Sequence, residues 1–245
     1  AVASGSYEWM VKTFRTEYLD EIENTAHITS NGFAEKAFFD HKYAPNVALP
    51  FGWPQGEVVT ADDFGFIDRS WKEYGGEPLH TVQPEPMTDL GIKYGRSGQE
   101  YERMILHYTQ PHIPWITEAL KEDRELTEIE HKPFKALREG KISKERAWQL
   151  YVDNLRLVLD EVEVLLENID AEKVAITADH GNAFGEMGIT KHPTGFPHPV
   201  IKKVPWVETT ATDKGTREPQ AIFEADLDES PQTDVEDHLR DLGYM

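Results

Sequence analysis

Six residues in three short stretches carry side chains that could do chemistry together. "ITADHGNAFGEMG" (176–188) sets Asp179 and His180 directly after an apolar run, "HYTQPHIPW" (107–115) contributes His107 and His112, and "KHPTGFPHP" (191–199) contributes His192 and His198. A carboxylate with imidazoles suits a divalent ion of the zinc or manganese type, whereas carboxylates with amides would suit calcium. Gly181 is expected to let the backbone turn sharply behind the acid and the imidazole. Each feature also has a structural reading: Asp-His-Gly as an ordinary turn, His107 as a satisfied core histidine, His198 as a loop stiffener between two prolines. His131 and His238, in charged stretches, are expected at the surface.

The elements that must position these residues read as follows. Trp9, Met10, Phe14 and Leu19 fall at helical spacing and predict a helix over 6–22, and "NTAHITS" (24–30) predicts a short strand ending in a turn at Asn31-Gly32. Residues 45–90, rich in proline and glycine, read as long loops with a short helix near 62–74. "RMILHYT" predicts a strand running into a proline-punctuated loop, and the interleaved charges of 116–142 predict exposed helix. From Ser143, a plausible N-cap, to Ile169 the chain gives its clearest helix, with Leu150, Leu155, Val158, Val162 and Leu165 in one buried stripe. "KVAITAD" (173–179) predicts a core strand covered on both faces, and "KKVPWVETT" another strand. Helices alternating with strands predict an α/β domain with a largely parallel sheet, where sites collect at the carboxyl ends of strands. Asp179, His107 and His112 fall at such ends, and His192 leads into the last strand.

The totals bound the function. The 245 residues suit one large domain, here 1–245, with an acidic tail over 214–245 that closes in a short helix. A net charge of -20 argues against nucleic acid and anionic membrane surfaces as partners, since both would be repelled. No apolar run approaches the ~18 residues of a membrane span. The absence of cysteine excludes disulfides and thiolate chemistry and suits either side of a membrane, a soluble cytoplasmic setting being the one favoured. The chain opens on "AVASGSYEWM" without an initiator methionine, which suggests sequence upstream.

"VAITADHGNAFGEMG", preceded by the helix "YVDNLRLVLDEVEVLL" and followed by a histidine segment and "VPW", resembles the sulfatase-like branch of the alkaline phosphatase superfamily. "HYTQPHIPW" resembles that branch's histidine-proline substrate loop, and "LRDLGYM" the end of many members. The resemblance implies a three-layer α/β/α sandwich around a mostly parallel sheet, and metal-dependent hydrolysis or transfer of phosphate or sulfate esters on small-molecule, glycan or lipid-linked substrates. It implies Asp179 and His180 as ligands of one or two divalent ions (zinc, manganese or calcium). It implies His112 and His192 as groups that contact the ester oxyanion or assist the leaving group, and His107 as a further substrate contact. It places the nucleophile before the first helix, at Ser6 with Ser4 as fallback, although an N-cap role would explain Ser6 equally. Two departures qualify it. With no cysteine in a Cys-x-Pro-x-Arg context there is nothing to become formylglycine, so phosphate esters are favoured over sulfate esters. The family's first strand, with its aspartate ligand, would precede residue 1. The competing expectation is a sulfatase-fold protein without activity, acting as a binding or structural unit.

Overall fold

The computed structural model describes residues 3–40, 57–75, 78–99, 101–220 and 234–244. The fold is mixed α/β. Strands β1 (Thr25–Thr29), β2 (Phe66–Asp68) and β3 (Arg103–His107) form a parallel sheet in the order β2-β1-β3. In register, His27 lies beside Ile67 and Ile105, and Thr29 beside His107.

The alternation of side chains along these strands builds two cores. Ala26 and Ile28 of β1, with Met104 and Leu106 of β3, face the helix Pro84–Gly95 through Met87 and Leu90. Ile67 and Ile105 face the opposite way, onto Met10, Val11 and Phe14 of the helix Ser6–Thr13 and its flank. A long helix, Lys144–Leu166, lies against Pro84–Gly95. Ser143 caps it by accepting a hydrogen bond from the Arg146 amide at 3.1 Å.

Several expectations change in detail. The helix over 6–22 is two pieces, Ser6–Thr13 and Leu19–Ile22, because the chain leaves helical geometry at Phe14, whose ring drops into the core. The region near 62–74 holds a turn (Ala61–Asp63), β2 and a short helix (Trp71–Tyr74). "PEPMTDLG", read as loop, begins the helix Pro84–Gly95, with Pro84 at its first position, where proline's missing N–H costs nothing. The loop expected over 41–56 lies outside the described residues.

The larger difference concerns the strand before Asp179. β4 (Ala171–Thr177) is not hydrogen-bonded to the parallel sheet. Beyond the short hairpin β5 (Ala183–Phe184) and β6 (Thr190–Lys191), the chain returns as β7 (Trp206–Ala211), which pairs with β4 antiparallel. Among the described residues the expected single, mostly parallel sheet is therefore a parallel three-stranded sheet and two separate antiparallel pairs. The cover expected on both faces of β4 is also absent, since none of its seven residues is fully buried and the side chains at 172, 173, 175 and 177 are exposed. What joins the two sheets is a shared helical support: Met104 and Leu106 of β3 and Ala171 and Val174 of β4 pack on the same cluster of Ile92, Leu165 and Ile169. Beyond β7, Arg96 clamps Asp213 in a two-pronged ion pair (2.8 and 2.7 Å) and Arg217 reaches Asp89 at 2.7 Å, tying the 213–217 segment back onto this support.

No helix among the described residues is long and apolar enough to cross a membrane. The terminal helix, Val235–Asp241, is present, but His238, expected at the surface, is fully buried, stacked on Trp71 and donating Nε2–H to the Ser30 carbonyl at 3.2 Å.

Glu8 pins the first helix. Burial raises its carboxyl, but Lys12 and two hydrogen bonds from Ser4 overcome this and hold it at about 2 against an ordinary 4.5, with Lys202 at 3.2 Å. A depressed carboxyl contributes stability above its unfolded value and loses it as the pH falls. The unfolding free energy should therefore drop between pH 4.5 and 2, and Glu8→Gln should flatten that part of the profile in denaturant titrations. Coincident acid limbs for the two proteins would remove Glu8 from the account.

Candidate active site

The carboxyl ends of β3 and β4 converge although the strands do not pair. His107, the last residue of β3, places Nε2 3.5 Å from Asp179 Oδ2, and His180 Nε2 lies 3.7 Å from the other carboxylate oxygen. The His180 ring lies 4.1 Å from that of His192, between centroids, and His192 Nε2 lies 3.1 Å from His112 Nε2. His112 stacks on Tyr244 at 4.9 Å, and the Tyr244 hydroxyl lies 3.5 Å from Ser6 Oγ. The Ser6 hydroxyl bonds back to Asp179, so the contacts form a closed circuit. Ser6, His107, His112, Asp179, His180 and His192 are thus brought to one place from four separate segments.

Backbone carbonyls decide what the imidazoles present. His112 Nδ1 faces the Ile113 carbonyl at 2.9 Å, His180 Nδ1 the Gly181 carbonyl at 2.9 Å, and His192 Nδ1 the Ser4 carbonyl at 3.1 Å. A carbonyl only accepts, so each Nδ1 carries a proton and each Nε2 is left facing the circuit, with a lone pair where the ring is neutral. Burial pushes the His112 and His192 imidazoles down, which keeps them neutral near pH 7. Two Nε2 lone pairs 3.1 Å apart repel unless a proton or a cation lies between them. A neutral ring of this tautomer presents a lone pair at Nε2 and no Nε2–H.

Asp179 supplies the negative charge. Burial raises its carboxyl, but His180, His107 and the Ser6 hydrogen bond outweigh burial and hold it well below the ordinary range. Its Oδ2 and the nearby Asn182 Oδ1 are buried without a well-directed hydrogen-bond partner. An ionised carboxylate with several Nε2 lone pairs fits a zinc or manganese type of ion by donor chemistry. Among the described residues no three such donors converge on a single point.

The scaffold around the circuit is specific. Gly181 has no positive φ; a Cβ there would sit 2.3 Å from the Val200 carbonyl oxygen, so glycine is required by close approach. Ser6 is not an N-cap. Gly5 holds that position, and Ser6 starts the helix with its hydroxyl turned to the circuit. Ser4 is engaged, its Oγ donating to Glu8 and accepting the Gly195 amide at 2.6 Å. His198 caps the short helix Pro199–Lys202 by accepting from the Val200 amide.

Sequence reading missed three contributors. Tyr244 had no signal beyond being an aromatic near the chain end. His27, fully buried between Phe14 and His107, has both ring nitrogens unpartnered, and burial pushes it down to about 3. Asn154 looked like one polar residue on a helix. It is fully buried and holds the His112 loop: Nδ2 donates to the His112 and Pro114 carbonyls (3.2 and 3.4 Å), while Oδ1 accepts from the Ile116 amide and the Thr117 hydroxyl.

Compared with the profiles of known protein families and with curated protein sequences, the chain matches none.

Two outcomes follow from this geometry. Asn154→Ala leaves several buried backbone groups unpaired and should cost about 2–4 kcal/mol in denaturant unfolding; a cost below about 1 kcal/mol would show that the loop holds itself. His27 is neutral in the fold but takes a proton once unfolded, so its contribution is complete above pH 6.5 and is lost as the pH falls towards 3. His27→Phe should therefore fold and resist acid better than the parent, and equal acid sensitivity would refute that account.

Proposed function

We propose that this chain is a metal-dependent hydrolase of phosphate esters, built on the alkaline-phosphatase-like plan that its Asp-His-Gly segment resembles. The observation that carries the reading is the orientation of His112, His180 and His192. Each ring turns its Nδ1 to a backbone carbonyl and its Nε2 inward, beside a carboxylate held ionised. Metal-binding histidines are commonly oriented by such an outer hydrogen bond.

In this reading Asp179 and His180 hold the ion, with His192 and His112 the nearest further donors. A bound divalent cation supplies the positive charge that makes a serine hydroxyl nucleophilic and screens the ester oxygens. The protein's own part starts at Ser6. Its hydroxyl, buried and bonded to Asp179, gives its proton to solvent as Oγ forms a bond to phosphorus, and the ester oxygen departs on the opposite side and takes up a proton from solvent. Burial and the Asp179 charge raise the Tyr244 phenol, so it stays protonated and can donate to the Ser6 oxygen as that becomes anionic. His107 holds the outer face of the carboxylate. Hydrolysis of the phosphoserine by water restores the serine. Phosphate rather than sulfate esters are favoured because the chain has no cysteine to mature into formylglycine.

The failure of three donors to close on one point favours a second reading, a binding or structural unit of the same plan without catalysis. Elemental analysis of purified protein separates the two. The hydrolase should carry about one or two equivalents of divalent metal, lost in Asp179→Ala, and Ser6→Ala should lower turnover of an aryl phosphate by about a hundredfold or more while keeping the metal. Metal-free protein without phosphatase activity after metal supplementation would leave the second reading.

A further inference from the structure

Behind the histidine circuit lies a hollow whose charge runs against that of the whole chain. The chain carries 45 acids against 25 bases, yet this cavity of about 190 Å3 is lined by Lys132, Lys135, Arg138, Lys191 and Arg240, with Asp241 the one acidic lining residue among the described residues. The concentration has a simple origin. Lys132, Lys135 and Arg138 are spaced by three on and before the helix Pro133–Arg138, so they share one face, while Lys191 and Arg240 close in from β6 and the terminal helix. Buried Ile113 and Phe134 give the hollow an apolar floor.

Two of the cations are held in place by neutral groups. Lys191 Nζ donates to the Gly243 carbonyl at 3.0 Å and Arg138 to the Thr190 hydroxyl at 2.9 Å, both uncharged acceptors. The carboxylates near Lys135 and Arg240, namely Glu128 and Glu139 for the first and Asp237 for the second, are themselves solvent-exposed. Such exposed pairs are worth about 0–1 kcal/mol and yield readily to a better anion. Like charges crowded into a concave wall focus a positive potential, and a guanidinium among them can engage two oxygens of one anion.

We propose that this hollow is a binding site for a compact, multiply charged oxyanion of the phosphoryl class, distinct from the site at Asp179. Ile113, Lys191 and Gly243 line it, and their chain neighbours His112, His192 and Tyr244 belong to the circuit, so an anion here would sit one residue away from the circuit at three points.

Isothermal titration of metal-stripped protein with inorganic pyrophosphate tests the assignment. The chain should bind about one equivalent at low salt and more weakly as salt rises, because screening shortens the reach of the cations. Lys135→Gln/Arg138→Gln, at two exposed positions, should weaken binding by about tenfold or more, and Asp241→Asn should tighten it several-fold. Asp179→Ala should bind like the parent, which separates this site from the proposed hydrolase centre. Loss of binding in Asp179→Ala, unchanged binding in the double variant, or no binding by the parent would each overturn the proposal.

Discussion

A carboxylate taken out of water must find positive charge or hydrogen bonds close by, and the organisation of this protein around Asp179 follows from that requirement. His107 and His180 flank its two oxygens, and Ser6 donates from the start of the first helix. None of these groups is near it in sequence except His180. The charge is tolerable only where the ends of β3 and β4, the first helix and the chain terminus meet, so the position of Asp179 constrains the packing of all four.

The second constraint is the direction of the imidazoles. A histidine side chain can present either nitrogen, and the choice is made by what the other nitrogen bonds to. Here three carbonyls make that choice the same way, and each belongs to a segment with its own reason to be rigid. The Ile113 carbonyl lies in the loop that Asn154 clamps, the Gly181 carbonyl in a turn pressed against Val200, and the Ser4 carbonyl beside a hydroxyl locked between Glu8 and the Gly195 amide. The histidines inherit their orientation from backbone that is fixed by buried polar side chains. That is why Ser4 and Asn154, which touch no candidate ligand atom directly, matter to the chemistry of those that do.

The way the two sheets meet fits this arrangement. β3 and β4 share a helical floor without sharing hydrogen bonds, so their carboxyl ends are placed by side-chain packing on Ile92, Leu165 and Ile169. Packing of this kind fixes distance through volume, and it leaves the strand edges and much of the β4–β7 pair open to solvent. The charge pattern is equally uneven. An acidic surface keeps polyanions away in general, while cations spaced by three on one short helix gather beside the histidine segments.

Residue type and short-range spacing carried the rest of what could be read early. The period of the long helix and its Ser143 cap, the strands at β1 and β3, and the gathering of Asp179, His180, His107, His112, His192 and Ser6 as chemically capable groups are local properties, since a helix period or a strand end is encoded within a few residues. Which strands pair was not local. Apolar "KVAIT" satisfies a buried parallel strand and a half-exposed antiparallel one equally, and its pairing with β7 depends on a segment some thirty residues away. The burial of His238 and His27, the clamp by Asn154 and the arrival of Tyr244 at Ser6 likewise depend on contacts across the whole chain. So does the reason for Gly181, which lies in the nearness of Val200 and not in its own backbone angles. The sequence by itself determined which side chains were available for chemistry; the tertiary structure decided which nitrogen each histidine presents, because that depends on a carbonyl oxygen whose position only the packed chain defines.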